Sequence, residues 1–359
     1  MLTHTYTEPA IINFSKLEER LLQTNQDREL TVYRFWRLLI KMLISKEPTL
    51  IMATGGSKAA AYYLQMILEN NGIICEVIEP RDYFYKKNIN AYERLIVLSN
   101  IGKTNGVMEA LKTFAGKSIL ITGEYTRRTD DYTYREWGYQ EPIFETVDWS
   151  SEAYLKNSEK SFISIIPTLA PMLMFLELSM LLDENKDEFT TQDYMNFNDK
   201  IRELIAKSQE RIDKISFDFK DTNLIQILSG YDTKTSSCIL ESNMIESGAS
   251  GVITHDKGSF CHGRNNILFH NPESPIVYFT HRMKKMDKEI FEVLIKEYPN
   301  IFLLHTLDEN QSIYWQEFYL SLQMYYLSKK IADDKKIDLT MPEYNPTVVR
   351  KLYRYKGEM

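Results

Sequence analysis

Two short runs in this 359-residue chain place glycines and hydroxyl-bearing residues directly after an apolar stretch. The first is Gly55-Gly56-Ser57, which follows TLIMAT (49–54) and precedes the helix-forming KAAAYYLQ. Small residues there let backbone N–H groups and the Ser57 hydroxyl approach an anion at a helix N-terminus, where the helix dipole favours negative charge. The second run follows RLIVLSN (94–100) and contains Ser99, Asn100, Gly102 and Thr104. A Gly-Gly-Ser turn also serves as an ordinary helix cap, so either run alone is weak. Two such loops at the carboxyl ends of strands in one sheet point to a shared ligand site in the crevice between them.

The elements that must carry these loops are legible from periodicity. Leucines and aromatics between 15 and 48 recur at near-helical spacing and predict an N-terminal helical lead-in. Short apolar runs then alternate with amphipathic stretches: strands at 49–54, 74–80, 94–100 and 118–124, with helices at 58–71 and 104–115. That alternation predicts a parallel α/β sheet. The polar, aromatic stretch 125–149 reads as a solvated loop around an edge strand. A long apolar helix at 162–182 and a polar one at 191–213 lead into a second series. Its strands are expected at 223–230, 251–255, 274–280 and 300–306, and its helices at 235–248, 286–297 and 312–331. The tail from 336, with its prolines and basic-aromatic end, reads as irregular.

Composition narrows the function classes. Hydrophobic residues make up 43% and charged residues 26%, which is ordinary for a globular chain. A net charge of −7, mixed along the sequence, gives no broad basic field, so nucleic acid is not an expected partner. The three cysteines are far apart, and His4, His255, His270, His281 and His305 form no ligand spacing, so neither a disulfide framework nor a metal site is expected. No complete dinucleotide or P-loop motif occurs, and no cofactor is expected. The first twenty residues lack a cationic start and an apolar core, so a cytoplasmic location is expected. Segment 162–182 has the length of a membrane span but contains Pro167, Pro171 and Glu177, which favours a buried helix and no membrane contact.

The two loops make the sequence resemble the SIS (sugar isomerase) domain proteins. In that family a small-residue turn ends in serine, and the next strand runs into a Ser-x-Ser-Gly-x-Thr loop whose hydroxyls and amides hold a sugar phosphate. The matching residues are Gly55, Gly56 and Ser57, then Ser99, Asn100, Gly102, Lys103 and Thr104, with Ile101 where the family has a second serine. The resemblance extends to double-SIS isomerases and deglycases, in which a catalytic glutamate near a helix end precedes a His-Gly pair by sixteen residues. Glu246 and His262-Gly263 have that separation. Arg264 follows, a residue able to pair with an anionic group. A closing Pro-x-x-x-x-Lys element is matched by Pro346 to Lys351.

The resemblance implies an α/β fold of two SIS-type subdomains, each a parallel sheet flanked by helices in three layers. The expected division is a helical segment at 1–45, a first SIS domain with linking helices at 46–215, a second at 216–335, and a tail at 336–359 that closes over the site. It also implies a sugar phosphate or amino sugar as ligand and a homodimer with shared active sites, in which 162–182 offers a surface to bury. Glu246 is then the base that moves a proton between adjacent carbons, with its pKa raised by partial desolvation. His262 is the ring-opening group, and Lys351 stabilises the developing oxyanion. The same groups would cleave a ketosamine, and the turn at Ala53 to Ser57 is close to that of fructosamine-phosphate deglycases. The alternative is a non-catalytic phosphosugar sensor.

Overall fold

The computed structural model describes residues 45–99, 105–122, 145–148, 163, 165–183, 190–305 and 310–339. The expected helices before residue 45, the loop at 123–144 and the tail from 340 lie outside the described residues. The chain divides into two compact units.

The first unit contains β1 (Thr49–Ala53), α1 (Ser57–Asn70), β2 (Cys75–Ile78), β3 (Arg94–Leu98), α2 (Asn105–Thr113), β4 (Lys117–Thr122), β5 (Glu145–Asp148) and α3 (Ile166–Asp183). Its strands are all parallel and lie in the order β2-β1-β3-β4-β5. Every residue of β1 and β3 is buried, which is why these strands read as unbroken apolar runs rather than alternating ones. Leu50, Met52, Leu95, Val97 and Leu120 pack with Val107, Met108 and Leu111 of α2. The alternate residues Ile51, Ile96, Ile119 and Ile121 are equally buried on the opposite face. The one charged residue of β3, Arg94, is buried against Glu47, which also accepts from Lys117 Nζ at 3.1 Å. β5 is the edge strand expected within 125–149.

Helix α3 is enclosed within the chain. Every residue from Leu169 to Ser179 is buried, including Pro171 and Glu177. Of the two readings of this segment, core or dimer surface, these positions are core. No described helix is long and apolar enough to cross a membrane.

The second unit contains α4 (Thr191–Asp213), β6 (Leu224–Ser229), α5 (Lys234–Glu246), β7 (Gly251–Asp256), β8 (Ile276–Thr280), α6 (Lys285–Glu297), β9 (Ile301–His305) and α7 (Ile313–Lys335). Its parallel strands lie in the order β7-β6-β8-β9, which repeats the order of the first four strands of the other sheet. Thr190 caps α4 in a reciprocal pair with Asp193. Because α4 packs along α7, it belongs to this unit, and the boundary expected at 215 falls instead before α4.

One buried ion pair ties this unit's irregular segment down. Just after β7, Lys257 Nζ lies 2.6 Å from Asp287 Oδ1 of α6, and the Tyr278 hydroxyl of β8 donates to the same oxygen at 2.8 Å. Both charged side chains are buried, at 8% and 6% exposure. Removing one member leaves the other charge desolvated without compensation. Asp287→Ala should therefore destabilise the protein by about 3–5 kcal/mol, seen as a lower urea midpoint in equilibrium unfolding.

Candidate functional site

β1 and β3 lie side by side, with Ala53 opposite Leu98 in the register. From β1 the chain passes through α1 to β2 on one side; from β3 it passes through α2 to β4 on the other. The two connections diverge, which opens a crevice at the carboxyl edge of the sheet, the usual ligand position in open parallel sheets. The residues following Ala53 and Leu98 start from strands about 4.8 Å apart. Ser99 and the Gly55-Gly56-Ser57 turn therefore border the same crevice. Asn100, Gly102, Lys103 and Thr104 lie outside the described residues.

The geometry of the turn explains its composition. Gly55 has φ +56°, a left-handed conformation that a side chain resists, although a Cβ there would touch nothing within 4 Å. Gly56 is tight for space instead: its Cβ would lie 3.3 Å from Thr168 Oγ1, which donates to the Gly56 carbonyl at 3.3 Å. The first turn of α3 thus presses on the loop. Gly56 is also the N-cap of α1 and supplies no side-chain cap. Ser57, half-buried, begins the helix.

The second unit repeats the topology with a different outcome. There the divergence lies between β6 and β8, and the N-terminus of α5 is met by the carboxylate of Glu317 from α7. Ser236 N donates to Glu317 Oε1 at 2.7 Å, and His281 Nε2, in the loop after β8, lies 3.0 Å from Oε2 and 2.8 Å from the Asp232 carbonyl. Both side chains are buried, at 3% for His281 and 0% for Glu317. Burial alone would lower the His281 pKa, but the facing Glu317 carboxylate outweighs it and raises the imidazole above its ordinary value. The position where an external anion would sit is filled by the chain's own carboxylate. In the first unit, the near turn of α3 places the Thr168 hydroxyl against the Gly56 carbonyl of its loop.

Glu246 and His262 both belong to the second unit, at opposite ends of its sheet. Glu246 is the last residue of α5, which returns the chain to the amino edge, where β7 begins. It is exposed, and Ser242 of its own helix donates to its Oε1; the partly desolvated setting expected for a base is not formed around it by this unit. His262 follows the carboxyl end of β7, about 20 Å further along at the rise of a six-residue strand. It is exposed in a short π-helical stretch, Phe260–Arg264, and Gly263 has φ +110°. A glycine follows the histidine because no other residue adopts that conformation without strain. Arg264 is exposed in the same stretch. Lys351 lies outside the described residues.

Sequence reasoning missed His281 and Glu317. The one available signal was Glu317 standing in the aromatic run YWQEFYLSL, where a buried carboxylate needs a partner. His255, by contrast, is a packed residue: it is buried with Nε2 2.7 Å from Gln226 Oε1, and burial followed by the charge of Arg264 lowers its pKa. Among the described residues no cluster of three or more His, Cys, Asp or Glu side chains is placed to hold a metal ion.

Neither the family models nor the curated protein sequences compared with the chain match it. Its structure is similar to the C-terminal domain of glucosamine-fructose-6-phosphate aminotransferase from Francisella tularensis. The TM-score is 0.65 at 14% identity, covering 95% of this chain and 100% of that one. It is likewise similar to glucosamine-6-phosphate deaminase from Thermotoga maritima, with a TM-score of 0.62 at 16% identity over 90% of this chain and 98% of that one. These likenesses show the fold, an α/β chain of two SIS-type subdomains, each a parallel sheet flanked by helices.

The raised His281 pKa has a measurable consequence. Stability from the imidazolium–carboxylate pair is present below the histidine's unfolded pKa of about 6.5 and is lost as pH rises through the higher folded value. Thermal unfolding followed from pH 6 to 9 should show this loss in the native protein, and Glu317→Gln should flatten it.

Proposed function

We propose that this chain binds a phosphorylated sugar or amino sugar at the carboxyl edge of the first sheet and acts on it as an aldose–ketose isomerase or ketosamine deglycase. One observation carries the ligand assignment. Of two topologically matched crevices, the second is filled by Glu317, whereas the first is bordered by a helix start that has no side-chain N-cap, the Ser57 hydroxyl and Ser99. The names of the two similar proteins, which carry glucosamine with fructose 6-phosphate in one and glucosamine 6-phosphate in the other, agree with this reading.

In this proposal the phosphate accepts hydrogen bonds from the first amides of α1 and from Ser57, with Ser99, Asn100, Gly102, Lys103 and Thr104 completing its cradle. His262 delivers a proton to the ring oxygen as the ring opens. The Glu246 carboxylate removes the proton from C2 of the open aldose and returns it to C1, through an enediol whose oxygen Lys351 stabilises. With a ketosamine, the carboxylate would take a proton from C1 and return it to C2 through an enolamine, and water would hydrolyse the resulting C1 imine to the aldose and the free amine. Glu246 and His262 are separated by the length of β7 within one chain. A sugar engaged by both would meet them from different copies, so the proposal includes a homodimer with shared sites, located in the cytoplasm. The exposure of Glu246 and the presence of Ile101 instead of a second serine favour a second reading, a non-catalytic phosphosugar sensor.

Calorimetric titration with hexose phosphates, amino-sugar phosphates, phosphorylated ketosamines and their unphosphorylated forms tests the ligand class. Ser57→Ala should weaken binding of the phosphorylated compounds by about 1–3 kcal/mol and leave the others unchanged. Glu246→Gln should leave binding intact and lower turnover by about a hundredfold or more. Tight binding with no turnover of any compound would establish the sensor reading.

A further inference from the structure

A groove of about 500 Å³ runs along the edge of the second unit, between α4, the edge strand β9 and α7. Lys207, Arg211 and Lys214 line one side, four and three residues apart, so they form a single stripe on α4. Against these three cations the lining carries one anion, Glu210. Among the described residues the lysines pair with helix neighbours, Lys207 with Glu203 and Lys214 with Glu210, in exposed, weak pairs readily exchanged for a stronger anion. Arg211 is held in place: its Nη2 donates to the Leu303 carbonyl at 3.2 Å, on the side of β9 that faces away from β8. The groove lies in the usual size range for small-molecule sites.

Tyr319 of α7 lines the inner wall. It is only 2% exposed, and its hydroxyl has no hydrogen-bond partner among the described residues. Such a group costs free energy to bury and calls for an explanation. Burial, opposed by Arg211 and assisted by Glu210, pushes its pKa up to about 12, so at neutral pH the hydroxyl is a donor beside the guanidinium. We propose that the groove is a second ligand site, built wholly from the second unit, for a small dianion of the phosphate-monoester type, which accepts from the Tyr319 hydroxyl and is neutralised by Lys207, Arg211 and Lys214. It is independent of the loops assigned to the sugar phosphate, which suits an effector rather than a substrate.

The full chain carrying Ser57→Ala is titrated with inorganic phosphate by calorimetry at constant ionic strength, so that binding at the first sheet is weakened and groove binding remains. Adding Tyr319→Phe should weaken the remaining phosphate binding about tenfold or more, and adding Lys207→Gln with Lys214→Gln should do the same. Without phosphate, Tyr319→Phe should melt at the same temperature as its parent or higher, since no hydrogen bond is lost. The proposal is overturned if no phosphate binding responds to the groove substitutions, or if Tyr319→Phe lowers the melting temperature in the absence of phosphate, which would give the hydroxyl a structural role. Failure of Ser57→Ala to change phosphate binding would count against the first-sheet assignment and leave the groove result to stand separately.

Discussion

A parallel strand can be followed by another only if the chain first returns to the starting edge, and in this protein α1, α2, α5 and α6 each make such a return. Every strand then ends at the same edge, and every strand-to-helix turn is delivered there. Because β1 and β6 are each laid down first and flanked on both sides by later strands, the connections diverge once in each sheet. The crevices, the helix N-termini that border them and the burial of the central strands on both faces all follow from this winding. Even the separation of Glu246 from His262 is a consequence, since a helix that returns to the amino edge cannot end beside a loop that begins at the carboxyl edge.

The winding places equivalent crevices in both units, but side chains decide what each can do. In the second unit α7 carries a carboxylate to the helix start, and a histidine from the neighbouring strand end completes the neutralisation. The arrangement uses the same donors that would hold an external anion, so binding and self-neutralisation are mutually exclusive there. In the first unit the contact from α3 is a threonine hydroxyl on a glycine carbonyl, which closes the turn without contributing charge. A duplicated topology thus yields one crevice suited to an anion and one that serves as a polar clamp within the core.

Buried polar pairs in the second unit lie both beside irregular backbone and between regular helices. The Lys257–Asp287 pair holds the segment that leads to the His262 stretch, and Tyr278 satisfies a further lone pair of the same carboxylate. Asn243 and Ser236 on α5 bond to Ser328 and Ser321 on α7, which fixes how those two helices are rotated against each other. Such interactions give modest net stability compared with apolar packing, but they specify one arrangement. The Tyr319 hydroxyl differs from these pairs, being buried beside a cationic groove without a partner among the described residues.

The residues by themselves determined the strands and helices of both series to within a few positions, because apolar periodicity and length are local properties of the chain. The Gly-Gly-Ser turn between β1 and α1 was legible for the same reason. What only the tertiary structure decided depends on pairing between distant segments. Residue 317 lies 81 positions from Ser236, and nothing in the spacing announced that its carboxylate would reach that amide. The assignment of α4 to the second unit arose from packing along α7, and the burial of α3 made core of a segment whose composition alone could not tell core from dimer surface. Which side of a helix meets which neighbour is set by the register and order of strands far apart in sequence, and that information appears only when the chain is folded.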